Sequence, residues 1–270
     1  MHKIFPITRL VLYGLVVCQG MLPVGHAAGV LHVQADLLAG GSAGAPPGSL
    51  WVGVHLRHEP GWHTYWKNPG DAGVPTQITW QLPAGWHADA PKWPAPERLQ
   101  SGPLASYGYR NEVVLPVLLS PAPGWKPGAP AHLGATVSWL ACKDSCIPEK
   151  ARLEWDLPAV PSEQDAALVG RFLARTPEAY PFTVVRARRS AGRLELTLGP
   201  VAGSGEFFPD EEELIEPGVP PEVRRSGPDA VWSAPLGAAG RALSGGAHVT
   251  GVWIEGQARP RRVDAVFETS

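Results

Sequence analysis

Apolar and polar residues alternate with a period of two along several short segments of the chain, and this alternation predicts half-buried β-strands. The segments with this pattern are residues 50–58, 78–82, 133–141 and 153–157. Residues 113–119 are apolar at odd and even positions alike, so both faces of the strand would be buried, as in a central sandwich strand. Pro116, however, indicates an edge strand or a bulge. The last two alternating segments predict a hairpin with residues 143–150 as its loop.

One segment, residues 162–175, has the spacing of an amphipathic helix instead. Ser162 can cap its first turn, with Asp165 three residues later. The apolar residues that share one face are Leu168, Phe172 and Leu173. Pro177 follows the segment, so we expect a short helix that connects two domains.

A second group of strand patterns follows the helix. Residues 182–187 and 193–198 flank a short turn, and residues 249–254 and 263–267 form a closing pair. Proline and glycine, which number 30 and 31 among 270 residues, place many turns between short apolar runs. We therefore predict an all-β fold of two immunoglobulin-like sandwich domains joined by a short helical connector.

The predicted domain limits follow from these patterns. They are a signal peptide over residues 1–28, an immunoglobulin-like domain with the cysteine pair over 29–158, a helical linker over 159–177 and a second sandwich over 178–270. The signal peptide is predicted from Lys3 and Arg9, which precede an apolar run and then small residues. That run is too short to cross a bilayer, and no later segment is suitable. We expect an exported, periplasmic chain that does not itself span a membrane.

The charge balance limits the classes of partner. Loss of Lys3 and Arg9 with the signal peptide changes the formal net charge from −2 to −4. With no basic stripe to neutralise phosphates, we expect no nucleic-acid partner. The sequence has no phosphate loop, nucleotide fingerprint or nucleophile–base–acid arrangement, so we expect no cofactor and assign no metal ligands.

The mature chain would keep two of the three cysteines, Cys142 and Cys146, with three residues between them. Cysteines this close pair in an oxidising compartment unless something reduces them. A closed loop of about five residues gives a disulfide only about 2 kcal/mol of stabilisation, so the spacing suits thiol–disulfide exchange better than structural bridging. A plain structural disulfide stays open as an alternative, because this spacer is not the common redox spacing.

Two aromatic segments carry further candidate residues. Residues 61–71 hold three aromatic side chains, a histidine and a lysine, and residues 106–111 form a second aromatic, glycine-containing loop. They could form a cap and a rim that keep water and stray oxidants away from the cysteines. The alternative is that these rings only fill the end of the sandwich.

Taken in order, these segments resemble the periplasmic N-terminal region of the DsbD-type transmembrane thiol reductases, especially the ScsB-like branch linked to suppression of copper sensitivity. The resemblance is carried by the segment from Gly61 to Asp71, by Tyr107-Gly108 with Val114-Leu115-Pro116-Val117, and by the segment from Trp139 to Glu149. It spans about residues 50–157, and residues 178–270 match more loosely.

The resemblance implies an immunoglobulin-like domain that takes electrons from a membrane-embedded or thioredoxin-like donor and passes them to periplasmic disulfide proteins. It implies that Cys142 and Cys146 are the redox pair, and that Cys146 forms the mixed disulfide with partners. The activity implied is that of a protein-disulfide reductase component.

The resemblance also implies candidates around the pair. The family covers its cysteines with a cap loop, which corresponds here to Ser106-Tyr107-Gly108, with Tyr107 as the shield. His63 and Tyr65 fall where the family places aromatic residues near its cysteines.

Two features depart from the family. The spacer is shorter than in the best-studied branch, and the chain stops at Ser270 without a membrane or thioredoxin-like module. The electron donor is therefore expected on another polypeptide. Two alternatives stay open, a copper(I)-handling protein, since thiolates suit copper(I), and a binding scaffold with a static disulfide.

Overall fold

A computed structural model describes residues 31–126, 128–157, 162–177, 182 and 184–269. The predicted signal peptide lies outside these residues. Leu31–Ser270 form one compact unit, which consists of β-strands with two short helices within the described residues.

The elements fall into two groups along the chain. The first group comprises β1 (Val33–Gly41), β2 (Leu50–His58), β3 (His63–Gly70), β4 (Gln77–Gln81), β5 (His87–Ala88), β6 (Glu97–Ser101), β7 (Leu104–Arg110), β8 (Glu112–Ser120), β9 (Ala131–Cys142) and β10 (Cys146–Leu157). After helix α1 (Glu163–Leu173), the second group comprises β11 (Val184–Ser190), β12 (Arg193–Gly199), β13 (Glu206–Pro209), β14 (Glu222–Ser226), β15 (Asp229–Pro235), α2 (Ala238–Ala242), β16 (His248–Ile254) and β17 (Arg261–Glu268).

The first ten strands form two antiparallel sheets. One sheet has the order β1-β2-β8-β5, and the other has the order β10-β9-β3-β7-β6, with β4 also pairing with β9. The two sheets bury a common core that includes Val54 and Leu115 from one sheet and Trp66 and Val137 from the other. This arrangement is the immunoglobulin-like sandwich that the alternation of residues predicted.

Helix α1 packs on the outer face of the first sheet, so strand β2 is buried on both faces rather than on one. A Cβ atom added at Gly40 or Gly53 would lie 2.7 or 2.8 Å from a methyl carbon of Val169, so only glycine allows this close approach. Ser162 caps the helix by accepting the Asp165 backbone N–H at 3.0 Å, as predicted. The helical connector thus contributes to the core of the first group.

The hairpin of β9 and β10 is tighter than the sequence suggested. Cys142 pairs directly with Cys146, so the connecting loop is residues 143–145 and the predicted loop over 143–150 is wrong. Pro148 lies within β10 opposite Leu140. It is tolerated there because β10 is an edge strand of its sheet, where proline can occur.

The second group forms one path of seven strands in the order β13-β16-β17-β11-β12-β15-β14. The path curls over its own core, because Phe207 near one end meets Trp232 near the other with 5.4 Å between ring centroids. The predicted pairs are present, since β11 pairs with β12 and β16 pairs with β17.

The two groups share buried contacts. Phe208 on β13 is 2% exposed, and its ring meets Trp66 and Tyr107 of the first group edge to face, with centroid distances of 6.5 and 5.1 Å. Because Phe208 belongs to the first group's core cluster, the hydrophobic interior crosses the predicted boundary. The domain limits themselves stay a prediction.

Polar contacts reinforce this junction beside strand β3. The Asn68 side chain donates to the backbone carbonyls of Pro209 and Glu211 at 2.9 and 3.0 Å. Asp210 forms ion pairs with Lys67 and Arg262, each with a 2.6 Å separation. Asp210, the first of four consecutive acidic residues, therefore joins the two groups of strands.

Replacement of Phe208 by alanine tests the shared core. We expect the free energy of unfolding to fall by about 3–5 kcal/mol, because the truncation removes a buried ring and leaves a cavity between the groups. The measurement is guanidinium unfolding of the oxidised chain followed by tryptophan fluorescence.

Val266→Ala is the matched control, since Val266 is 52% exposed on β17 and its truncation should change stability by less than about 0.5 kcal/mol. A Phe208→Ala variant as stable as this control would contradict the shared core.

Candidate functional site

Cys142 and Cys146 form a disulfide at the end of the β9–β10 hairpin, with 4.2 Å between their Cα atoms. The Lys143 backbone N–H donates to the Ser145 carbonyl at 3.1 Å and closes the tip. The two sulfur-bearing residues differ in exposure, because Cys142 is 2% exposed whereas Cys146 is exposed. A thiol or disulfide from another protein can therefore approach Cys146 and not Cys142.

Strand β3 supplies a side chain to each cysteine. His63 lies directly opposite Cys142 in the antiparallel register. The Tyr65 hydroxyl lies 3.7 Å from the Cys146 Sγ, where it can donate a hydrogen bond to the sulfur. The rings of His63 and Tyr65 contact each other edge to face at 5.2 Å. The structure therefore brings together four of the six candidate residues.

Burial determines the charge state of the His63 and Tyr65 side chains. Burial, followed by the nearby Arg110 guanidinium, lowers the pKa of His63 below its usual value. Burial raises the pKa of the Tyr65 phenol. Both groups are therefore uncharged at neutral pH, so His63 can accept a proton and Tyr65 can donate a hydrogen bond.

A loop between β3 and β4 covers Tyr65, which is 3% exposed. Gly73 has φ +127°, and a Cβ atom there would lie 2.3 Å from the Tyr65 ring. Pro75 also forms a bridge with Tyr65. Sequence reasoning missed this loop, although a glycine in a turn-rich aromatic stretch is the signal of such a close approach.

The predicted cap at residues 106–108 lies elsewhere. These residues belong to strand β7, so the prediction of a loop at this position is wrong. Gly108 pairs with Tyr65, and because neighbouring residues of a strand point to opposite faces, Tyr107 points away from the Tyr65 face. Tyr107 is fully buried against Phe208, and its hydroxyl has no hydrogen-bond partner among the described residues.

Ser106 also contacts a different part of the chain. Its hydroxyl donates to the Ala72 carbonyl at 2.9 Å, which helps to hold the loop that covers Tyr65. Ser106 is thus connected to the site through this loop. Among the described residues, Tyr107 has no contact with the cysteines or with the loop that would support a shielding role.

Glu149 fixes the strand that carries Cys146, and sequence reasoning gave it no role. The carboxylate is buried and accepts hydrogen bonds from the backbone N–H groups of His32 and Val33 and from the Trp139 indole, at 2.7, 3.2 and 2.9 Å. It thereby joins β10 to the start of β1. The sequence around Glu149 contains no feature that distinguishes a buried glutamate that accepts hydrogen bonds from one exposed on the surface.

A shallow apolar groove of about 460 Å³ runs beside the pair on the outer face of the sheet. Its lining includes Val74 from the covering loop, Leu140 from β9 and Pro148 from β10. Val74 is 48% exposed, and Ile147, next to Cys146, is 37% exposed. The surroundings of the exposed sulfur are thus open and partly apolar on this side.

The part of the chain that the structure describes also bears on metal binding and on membrane insertion. Within it, no group of three or more histidine, cysteine, aspartate or glutamate side chains is placed to hold a metal ion. None of the helices within it has the length and apolar character needed to cross a membrane.

The arrangement can support thiol–disulfide exchange. An exposed sulfur is bonded to a buried one, a neutral hydroxyl can stabilise negative charge on the first, and a neutral imidazole lies opposite the second. Exchange requires in-line approach of a thiolate to a disulfide sulfur and a second thiol that resolves the mixed disulfide. In this hairpin, the exposed Cys146 meets the first requirement and Cys142 can supply the resolving thiol.

Comparison with known proteins agrees with this chemistry. Residues 34–158 match the model of the family described as "Thiol:disulfide interchange protein DsbD, N-terminal". The resemblance that the sequence indicated is therefore confirmed over the segment that contains both cysteines. None of the curated proteins matches the sequence.

The fold is similar to a solved structure, the N-terminal periplasmic domain of ScsB from Proteus mirabilis. The TM-score is 0.69 at 20% sequence identity, and the match covers 88% of this chain and 94% of that chain. At this identity the likeness shows the fold, and it extends over both groups of strands. A match to the periplasmic chaperone SfaE, with a TM-score of 0.21 and 10% identity, does not indicate a shared fold.

Removal of the Tyr65 hydroxyl tests its contact with Cys146. In a Cys142→Ser background, Tyr65→Phe should move the thiolate titration of Cys146 to higher pH by roughly one unit, because the thiolate loses a hydrogen-bond donor. Thiolate absorbance near 240 nm, followed against pH, measures the shift.

Tyr107→Phe in the same background is the matched control, because the Tyr107 hydroxyl has no hydrogen-bond partner among the described residues. An equal shift in both variants, or no shift in Tyr65→Phe, would contradict the assigned contact.

Proposed function

We propose that this chain is a periplasmic thiol–disulfide exchange protein that reacts with its partners through Cys146. The observation that supports the proposal most directly is the unequal exposure of two bonded cysteines at a hairpin tip. The family match over residues 34–158 supports the same chemistry. The periplasmic location rests on the predicted signal peptide and on the similarity in fold to the periplasmic domain of ScsB.

The exchange begins with the reduced pair. The Cys146 thiolate attacks one sulfur of a partner disulfide, and the other partner sulfur leaves as a thiolate and takes up a proton. Cys142 then attacks Cys146, which forms the bond between the two cysteines and releases the second partner thiol. The partner gains two electrons and two protons, and the pair is oxidised.

The pair must then be reduced again, so the proposal needs an electron donor. We propose a membrane-embedded or thioredoxin-like dithiol on another polypeptide as donor and periplasmic disulfide proteins as acceptors. The same exposed sulfur would serve both reactions in succession, since Cys142 is enclosed. The chain would then act as a reductase component and relay rather than as a scaffold.

A static structural disulfide is the competing account. The closed loop is so short that the bond would add only about 2 kcal/mol to stability. The β9–β10 pairing, which continues for eleven further residue pairs beyond the two cysteines, holds the hairpin together without it. Neither consideration favours a purely structural role.

Trapping of the mixed disulfide tests the proposal. Cys142→Ser retains Cys146 and removes the resolving thiol, so we expect it to accumulate covalent complexes with disulfide proteins in periplasmic extract. Cys146→Ser is the matched control and should trap far less, because Cys142 is 2% exposed.

The complexes are read on non-reducing gels, must disappear on reduction, and are identified by mass spectrometry. Capture mainly through Cys142 would reverse the roles of the cysteines. Absence of reducible complexes with either variant would support the static disulfide instead.

A further inference from the structure

His63 lies opposite Cys142, the enclosed cysteine of the pair, and it has no role in the thiol–disulfide exchange proposed for Cys142 and Cys146. Residues directly opposite each other in antiparallel strands have Cβ atoms about 4.5–5.5 Å apart and point to the same face of the sheet. His63 and Cys142 are paired in this way. The imidazole therefore lies within reach of the Cys142 sulfur, on the face where the disulfide bond forms.

Cys142 is the residue that needs a base. A thiol enclosed in protein holds its proton more tightly than an exposed one, and only the thiolate attacks a disulfide. Cys142 is 2% exposed, so water cannot readily take the proton. Cys146 differs, because it is open to solvent and lies beside the Tyr65 hydroxyl.

The ring of His63 is available for this task. Its contact with Tyr65 is an edge-to-face ring contact, and neither ring nitrogen has a hydrogen-bond partner among the described residues. The neighbouring His58 differs, since its two nitrogens bond the Asn111 carbonyl and the Thr64 hydroxyl at 3.1 and 2.9 Å. His63 is half-buried, so a proton that it accepts can pass on to the departing partner.

We propose that His63 is the proton acceptor for Cys142 when Cys142 resolves the mixed disulfide. The inference rests on the proposed function and adds a residue to it. As the Cys142 sulfur bonds to the Cys146 sulfur, the bond between Cys146 and the partner breaks, and its electron pair leaves on the partner sulfur. The Cys142 proton goes to the imidazole and then to the partner thiolate, so charge and protons balance.

The charges around His63 favour its neutral, accepting form. Burial lowers the pKa of His63, and the Arg110 guanidinium, which pairs with it from β7, lowers it further. His58 from β2 is itself held neutral, because burial lowers its pKa to about 4. At the hairpin tip, the Lys143 ammonium donates to the Pro60 carbonyl, and Asp144 is exposed. No carboxylate forms an ion pair with His63 among the described residues.

The resolving step can be isolated with 5,5′-dithiobis(2-nitrobenzoate) as the probe. The reduced chain should release one equivalent of thionitrobenzoate as Cys146 attacks and a second as Cys142 resolves. Both are followed by absorbance in a stopped-flow instrument. Because this leaving group departs without a proton, the second phase reports the deprotonation of Cys142 and its attack.

Two variants separate proton transfer from packing. His63→Phe keeps a ring against Tyr65 but has no basic nitrogen, and His63→Ala removes both. We expect the second phase at pH 7 to slow by about a hundredfold in both variants, at the lower end of the range of general base catalysis. Added imidazole should restore the rate of His63→Ala, and the first phase should stay within about threefold of wild type in both.

The pH profile provides a readout that packing alone would not change. In the wild-type chain the second-phase rate should rise as His63 loses its proton, below pH 6.5, and then level off. In His63→Phe it should keep rising through neutral pH, since only the thiolate fraction of Cys142 then sets the rate.

The outcomes are distinct. A second phase in His63→Phe as fast as in wild type, or slow variants without imidazole rescue and with an unchanged pH profile, would overturn the role of His63. A wild-type chain without a first phase would overturn the proposed function itself, and the role of His63 with it.

Discussion

The pairing register of strand β3 is the constraint on which the site depends. His63 pairs with Cys142 and Tyr65 pairs with Gly108, so His63 and Tyr65 point to the face of the sheet that carries the disulfide. A slip of one residue would exchange the faces and bring Thr64 and Trp66 to the cysteines. Trp66 prevents such a slip, because it is fully buried and its ring meets Phe208 in the interior.

The same strand joins the redox hairpin to the second group of strands. Its far end carries Lys67 and Asn68, which bind Asp210 and the Pro209 carbonyl. With the pairing of His63 and Cys142 at the other end, these contacts hold β3 at both ends, so the hydroxyl and the imidazole are positioned before a partner arrives. Preorganisation of this kind is useful in exchange reactions, where the attacking sulfur must approach a disulfide in line.

The sequence predicted the parts of the structure that follow from local patterns. Period-two alternation located the strands, Ser162 located the start of the helix, and the cysteine spacing placed both sulfurs at a hairpin tip. The resemblance placed His63 and Tyr65 near the cysteines. Each of these depends on residues close together in the chain.

Long-range packing could not be inferred from a single sequence. The resemblance implied a shielding role for Tyr107, but the face to which its ring points depends on how β7 pairs with β3. A pairing register does not follow from the alternation of one strand. Likewise, helix α1 buries the second face of β2, and Asp210 reaches Lys67 across the two groups. Glu149 resembles a surface residue until the start of β1 is placed beside it.

The reduction potential of the cysteine pair tests the central claim most directly. The account requires that Cys142 and Cys146 exchange freely with partner thiols, so the pair should titrate reversibly in glutathione buffers, between about −300 and −120 mV. The titration is read by alkylation of the free thiols and mass spectrometry. A pair that stays fully oxidised at potentials below about −300 mV would behave as a structural disulfide and would contradict the account.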